Sequence, residues 1–445
     1  MPLTGLEIYK QLPKTNCKDC GHPTCLAFAM ALASGKASLD ACPHVSDEAR
    51  AVLDSAAAPP MAEITVGTGQ AAVKLGGETE LFRHEKRFYN PAAVAFLISD
   101  TLPEAELSAR LAAIRDLVFH RVGLEYRVQM AAVKNESGQA DPFKRAVAAA
   151  AGTGLALMLV TDDPKLMAAG LEAAGQNRPL LYAATETNWE AMLELAKAHP
   201  CVLAVKARGL EALAGLAQKI TAAGFKDLVL DPQPTSPAQA VADLVQIRRL
   251  AVKKRFRPFG YPSLVFAGAE DPAEEALEAA LYVTKYAGVV VLKNVSRAHL
   301  LPLLTWRQNL YTDPQVPIQV EEKLNEIGTP SEDSPVYVTT NFSLTYYSVQ
   351  GEVEGSRIPS YILSVNTNGL SVMTAYADGR FTAEKIAQVM KKVDLESKVK
   401  HRTIVIPGAV AVLKGKLEEL TGWKVLVGPR EASGIPAFAK SNFAA

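Results

Sequence analysis

The chain has 445 residues, of which 49% are hydrophobic and 21% charged, and its 47 basic side chains balance 47 acidic ones. This length predicts roughly two to four domains, and the neutral balance leaves no basic footprint for nucleic acid; Lys253-Lys254-Arg255 reads as a solvated helix end or loop. No apolar stretch of about 18 residues runs free of charge, so no membrane span is expected. The opening MPLTGLEIYKQLPK lacks the apolar core and cleavage site of a secretory signal, so a cytoplasmic location is expected.

Residues 1–57 read as a small cysteine-rich module. Four of the five cysteines fall within the first 42 residues, spaced Cys17-x₂-Cys20-x₄-Cys25-x₁₆-Cys42, with Pro43 following at once. A large chain without a secretory signal has little use for disulfides in such a cluster, and metal or iron–sulfur ligation is the better reading. Thiolates suit iron and bridging sulfide because both partners are soft. Three cysteines within nine residues can wrap one face of a cubane, and a fourth ligand can return after the helix LAFAMALASGK. Gly21 and Pro23 allow a tight turn whose amides can reach sulfur. A four-thiolate zinc site stays open as the alternative, although zinc ribbons pair two C-x₂-C knuckles and this chain has one. His22 and His44 lie beside the ligands. Cys201 stands alone on an expected strand and reads as a buried apolar residue.

Ala56-Ala57-Ala58-Pro59-Pro60 opens an expected linker over 58–93. From 94 to 324 short apolar runs alternate with helical periodicity. The runs are Val94–Ile98, Tyr126–Val133, Leu155–Val160, Pro179–Ala183, Val202–Val205, Asp227–Leu230, Ser263–Phe266 and Gly288–Leu292. Helices are expected between them, as in PEAELSARLAAIRDLVFHRV (103–122) and NWEAMLELAKAHP. Eight β–α units of this kind predict a (β/α)₈ TIM barrel, with an open doubly wound sheet as the runner-up. At the strand ends Asp100, Lys134, Asn135, Asp162, Asp163, Thr185, Glu186, Lys206, Asp231 and Lys293 are candidate polar groups. They read more simply as caps and loop residues, which leaves the barrel as a scaffold or docking platform.

Residues 325–445 predict a compact Rossmann-like α/β domain. VYVTTN, YILSV, TIVIPG and WKVLVGP read as strands, AEKIAQVMKKVD and AVLKGKLEELTG as helices, with turns where a ligand would sit at strand C-terminal ends. The whole is an α/β multidomain chain.

The motif NCKDCGHPTCLAFAMALASGKASLDACP resembles the four-cysteine [4Fe–4S] module of corrinoid iron–sulfur protein large (gamma) subunits. LYTDPQVPIQVEEKLNEIG, SPVYVTTNFSLTYYSV, GLSVMTAYADG, IPGAVAVLKGKLEELTGW and VGPREASGIPAF resemble the corrin-binding end of the same family, in the same order. The resemblance implies a [4Fe–4S] cluster on Cys17, Cys20, Cys25 and Cys42, and a base-off corrinoid (cobalamin, with its cobalt) in a C-terminal cobalamin-binding domain. It implies a methyl carrier of the acetyl-CoA (Wood–Ljungdahl) pathway of carbon dioxide fixation. Co(I) takes the methyl of methyltetrahydrofolate on a methyltransferase and passes it to acetyl-CoA synthase, and the cluster serves the return of Co(II) to Co(I). The chain would thus act within the 5-methyltetrahydrofolate:corrinoid/iron–sulfur protein methyltransferase system, itself chiefly as carrier. The implied partners are a small (delta) subunit in a heterodimer, that methyltransferase, CO dehydrogenase/acetyl-CoA synthase and an electron donor such as ferredoxin. No D-x-H-x-x-G loop occurs and His401 lacks that setting, which agrees with a cobalt without a protein ligand. Thr374 is the candidate below cobalt, on the stretch Leu370, Ser371, Val372, Met373, Thr374. Thr340 and Tyr346 are expected to line the corrin or its tail. Gly408, Gly428, Ala432, Ser433, Gly434 and Pro436 are expected to let backbone approach it. The competing readings are a barrel methyltransferase with an attached iron–sulfur module, its pocket built on Asp100, Asn135 and Asp162, and an electron-transfer scaffold carrying the cluster alone.

Overall fold

The structure, a computed structural model, describes residues 4–33, 37–46, 48–50, 53, 59–121 and 124–443. The chain divides into two compact units, Met1–Leu117 with Arg127–Tyr311, and Val118–Tyr126 with Thr312–Ala445.

The first unit begins with two packed helices, Gly5–Gln11 and Cys25–Ala33. Thr4 caps the first through a reciprocal box with Glu7, each side chain meeting the other's backbone amide. Gly5 allows the close approach, since a Cβ there would collide with Met30 Sδ. Ile8, Leu12, Phe28, Ala29, Val45 and Leu53 form a small core that also takes in Cys25 and Cys42. Ser34, Gly35 and Lys36 of the expected helix, and Ala56, Ala57 and Ala58 of the expected linker, lie outside the described residues.

The stretch expected as a linker holds an antiparallel hairpin, β1 (Glu63–Val66) and β2 (Val73–Gly76), with Ile64 opposite Leu75. Its Ile64, Val66 and Leu75 are buried in the same core as the strands that follow. Those strands are β3 (Ala93–Ser99), then, beyond a separate two-stranded ribbon of β4 (Val118–Arg121) and β5 (Leu124–Arg127), β6 (Met130–Lys134), β7 (Ala156–Val160), β8 (Leu180–Ala184), β9 (Val202–Lys206), β10 (Leu228–Asp231), β11 (Ser263–Phe266) and β12 (Ala287–Leu292). β3 and β6 to β12 close into an eight-stranded parallel barrel, sealed where Val289 of β12 meets Ala93 of β3. The fold is thus the expected TIM barrel. Gly67 N donates to Arg178 O and Ala62 N to Gly260 O, both upstream of barrel strands, so the β1–β2 hairpin plugs the barrel's N-terminal end.

Two expectations are corrected. The helix expected over 103–122 spans only Glu104–Arg115, and the run expected over Tyr126–Val133 is two strands, β5 and β6. Val118 and Phe119, then Tyr126, bring β-branched and aromatic residues that prefer a ribbon to a continued helix.

The second unit carries a five-stranded sheet of β13 (Leu324–Ile327), β14 (Val336–Thr340), β15 (Ser360–Val365), β16 (Thr403–Ile406) and β17 (Lys424–Val427), ordered β13-β15-β14-β16-β17. Only β13 runs antiparallel. One face packs Val338, Leu363 and Ile404 on helix Ala383–Lys392 and on Leu417 of helix Lys414–Thr421. The other packs Tyr337, Ile362 and Val405 on helices Ser343–Ser356 and Ile435–Phe443. The sheet is doubly wound and Rossmann-like. Chain order reverses between β14 and β16, where the helices leaving the two strands go to opposite faces and open a crevice at their C-terminal ends.

Candidate functional site

Two places gather chemistry-bearing residues. The first is the loop Asn16–Cys25. Its conformation is unusual, because Lys14, Asn16 and Lys18 have positive φ, at 61°, 51° and 70°, as does Gly21 at 78°. Non-glycine residues seldom adopt this region, and such strain persists where surroundings over-determine it. Gly21 N closes a tight turn onto Lys18 O at 2.9 Å. Asn16 clamps the start of the following helix: its Oδ1 accepts from Cys25 N at 2.8 Å, and its own amide donates to Cys25 Sγ at 3.4 Å. All four cysteines are free thiols, with Cys17 exposed, Cys20 half-buried, and Cys25 and Cys42 buried. The loop offers three soft donors and Cys42 a fourth, Cys25 already receiving an N–H···S bond of the kind that tunes an iron–sulfur centre, and the donor set fits such a group. His44 Nε2 meets Asp19 Oδ2 at 2.6 Å, with Cys17 close to both, while the His22 ring lies tilted against Phe28, centroids 5.4 Å apart.

The second place is a cleft of about 440 Å³ at the C-terminal ends of β14 and β16. Tyr337 and Thr339 of β14 and Val405 and Ile406 of β16 form its floor. Leu344, Ser348 and Val349 of helix Ser343–Ser356 wall one side, Ser371, Val372 and Met373 line it too, and Pro407, Pro429 and Arg430 stand on the loops after β16 and β17. Asn341, 2% exposed, positions the loop that leads to Ser371. Its Oδ1 accepts from Thr367 N at 2.9 Å and Gly369 N at 3.1 Å, and its Nδ2 donates to Gln319 and Asn366. Gly369 holds φ +74°, and a Cβ there would crowd Pro317 and Gln319. Tyr337, Thr339, Thr340 and Ser343 carry buried hydroxyls without a hydrogen-bond partner. The cleft is apolar with unsatisfied donors at its floor, and it fits the nucleotide tail of a corrinoid.

Of the residues expected around a corrinoid, Ser371, Val372, Met373, Gly428 and Ala432 line this cleft. Thr374 lies one residue further along the helix Val372–Ala377, exposed, its Oγ1 3.0 Å from Ser371 Oγ. Leu370 packs on the sheet core and Tyr346 on the opposite-face core, beside Tyr347. Thr340 is fully buried. Gly408 serves the fold locally: a Cβ there would lie 2.5 Å from Gly428 O and 2.9 Å from Arg430 N, so the two loops meet because Gly408 lacks one, while a Cβ on Gly428 would crowd Val405. Gly434 does the same against Pro429, and Ser433 and Pro436 fall in the turn and helix that follow. Sequence reasoning missed Tyr337, Thr339, Val405 and Arg430, which only the strand order brings together. His401 sits at the other end of β16, its Nε2 bonded to Ser334 O at 2.8 Å.

Most of the barrel's polar candidates are held by neighbouring groups. Asp100 accepts from Asn135 Nδ2, Glu136 N, Ser137 N and Ser137 Oγ, at 2.6 to 2.9 Å. Asp163 caps the helix Pro164–Ala174. Lys206 pairs with Asp162, Lys134 with Glu136 and Lys293 with Glu270. Asp231 differs from the helix-start role expected of it. It is buried, accepts the Tyr182 hydroxyl at 2.6 Å, and burial pushes its carboxyl above the ordinary range.

Residues 63–439 match the family described as CO dehydrogenase/acetyl-CoA synthase delta subunit, and residues 12–44 match an Fe–S cluster family. The corrinoid/iron-sulfur protein large subunit of Moorella thermoacetica is 63% identical over 445 residues, covering 100% of both chains. The acetyl-CoA decarbonylase/synthase complex subunit gamma of Methanopyrus kandleri is 39% identical, over 99% of this chain and 98% of that one. Among solved structures, dihydropteroate synthase from Thermus thermophilus in complex with 4-aminobenzoate aligns at a TM-score of 0.39 and 18% identity, across 56% of this chain and 100% of that chain. With its cysteine loop and its three-part order, this chain belongs to the family of corrinoid/iron–sulfur protein large subunits.

Proposed function

We propose that this chain is a methyl carrier of the acetyl-CoA pathway, holding a corrinoid at the cleft of its second unit and a [4Fe–4S] cluster on Cys17, Cys20, Cys25 and Cys42. The observation that carries this reading is the apolar cleft at the β14–β16 switch point, with unpartnered hydroxyls at its floor. When bound, the corrinoid supplies the cobalt nucleophile for methyl transfer, and the cluster supplies single electrons that keep the cobalt reduced.

The chain's own residues bind and orient. The cleft's apolar walls would hold the nucleotide tail, with the ring left near the mouth. Met373, Tyr376 and Leu344, at 53%, 38% and 58% exposure, offer apolar contact there. The backbone before Met373 is held by Asn341, and Thr374 would be the neutral side chain offered to a bound ring. Arg430, the one cation among the described lining residues, is available to the tail's phosphate. The loops after β16 and β17 are kept together by Gly408 and Gly428. In the barrel the polar strand-end groups satisfy each other, which suits a scaffold. A small barrel-type subunit, the methyltetrahydrofolate methyltransferase, acetyl-CoA synthase and a ferredoxin-like donor are the partners this role calls for, in the cytoplasm. Among the described residues no helix is long and apolar enough to cross a membrane.

The test is anaerobic purification of the full chain with metal analysis, absorption and EPR. About four iron and about one cobalt per chain are expected, with a Co(II) signal free of nitrogen splitting. Zinc in place of iron overturns the cluster assignment, and iron without retained corrinoid overturns the carrier role.

A further inference from the structure

Hydrogen bonding along β14 is incomplete. Tyr337 and Thr339 lie two residues apart on this strand, so they share one face, and both line the cleft. They are 3% and 0% exposed, and neither hydroxyl has a partner. Buried polar side chains are nearly always paired, and an exception calls for a reason. At the barrel's strand ends, by comparison, Tyr182 is bonded to Asp231 and Asp100 accepts four bonds. Burial pushes the Tyr337 phenol up to about 12, so it remains a protonated donor at neutral pH.

We propose that Tyr337 and Thr339 donate hydrogen bonds to the corrinoid's nucleotide tail, one of them to the base nitrogen released from cobalt. The inference rests on the corrinoid reading of the cleft. A ring nitrogen that no longer binds cobalt carries a free lone pair, and burying it among apolar walls without a donor is unfavourable. Val349, Val405 and Ile435 of those walls offer none, whereas the two hydroxyls of β14 do. Engaging that nitrogen also ends its competition for the lower face of cobalt, so the same bonds that hold the tail keep the cofactor base-off.

Tyr337→Phe and Thr339→Val each remove one hydroxyl and keep the side chain's shape. Full-length protein stripped of corrinoid is titrated without oxygen with cob(II)alamin, and separately with cob(II)inamide, which lacks the tail. Each substitution is expected to weaken cob(II)alamin about tenfold and to leave cob(II)inamide unchanged. The melting temperature of the corrinoid-free variants is expected to equal or exceed that of the parent, because an unpartnered buried hydroxyl stabilises nothing. Unchanged cob(II)alamin affinity in both variants overturns the inference and leaves the corrinoid reading standing. Equal losses for the two corrinoids with a lowered melting temperature also overturn it, because the hydroxyls are then structural. A parent protein that takes up neither corrinoid overturns the corrinoid reading itself.

Discussion

Asp100 separates a scaffold barrel from a catalytic one. It follows the first barrel strand directly, where a barrel enzyme places its acids, and it is fully buried. Its Oδ1 accepts from Glu136 N and Ser137 N, both at 2.9 Å, and its Oδ2 from Asn135 Nδ2 at 2.7 Å and Ser137 Oγ at 2.6 Å. These four bonds leave the carboxylate little capacity for a substrate, and they fold the loop after β6 over the strand end. Hydrogen bonds to a charged group are worth about 1.5–3 kcal/mol each, but the loop donors regain water when released. Asp100→Ala is therefore expected to cost about 3–4 kcal/mol, a fall in melting temperature on the order of 10 °C for a unit of this size. Hydrogen exchange should localise the loss, with the Glu136 and Ser137 amides exchanging faster. Corrinoid uptake and methyl transfer, measured at a temperature where the variant is folded, should match the parent. A variant that keeps its melting temperature and loses methyl transfer would refute the reasoning and restore the barrel methyltransferase.

Alanine at Cys17, Cys20, Cys25 or Cys42 should each remove most of the iron, whereas Cys201→Ala should leave iron content unchanged. Burial pushes the Cys201 thiol up to about 12, so iodoacetamide should label it only after unfolding; labelling of the native protein would contradict this. Gly408→Ala should drive the loops after β16 and β17 apart, because the new Cβ meets Gly428 O at 2.5 Å, and corrinoid titration should show weakened uptake. Asp231 has a raised pKa, so the folded chain holds a proton that the unfolded chain has already released. Its contribution to stability is complete below the ordinary carboxylate range and is lost as pH climbs through the raised value. Asp231→Asn, which keeps an acceptor for Tyr182, should therefore gain in melting temperature over the parent as pH rises above the ordinary carboxylate range; a difference that stays flat would count against it.

The barrel strands were legible because parallel strands buried on both faces are apolar along their length, as in Leu157–Leu159 and Val289–Val291. The cysteine loop was legible because ligand spacing is a local property. The β1–β2 hairpin was not, because EITV and VKLG are short and become strands only by burying Ile64, Val66 and Leu75 in the barrel's end. The cleft floor was hidden for a related reason. Tyr337 and Val405 face each other across neighbouring strands, yet they are far apart in sequence, and only the order β15-β14-β16 makes them neighbours. Glycines near the strand ends were visible in sequence, but their role was not: Gly408 and Gly428 serve the approach of two loops to each other, so their bearing on a ligand is indirect.

Polar satisfaction at the strand ends separates the barrel from the second unit's sheet more sharply than composition does. At the barrel's strand ends Asp100, Asp162, Lys206, Asp231 and Lys293 all have partners, although a residue list alone would nominate each of them for catalysis. At the end of β14 four neutral hydroxyls are buried without partners, although Thr and Ser in a strand attract no such suspicion. An unmade hydrogen bond in the interior costs about 1–3 kcal/mol, and two of these four groups, Tyr337 and Thr339, line the cleft where a ligand could supply an acceptor. A ligand rich in acceptors offsets that cost on binding, and one that brings none cannot. The barrel's strand-end charges are taken up by neighbouring groups, whereas Tyr337 and Thr339 keep unpartnered hydroxyls against the cleft.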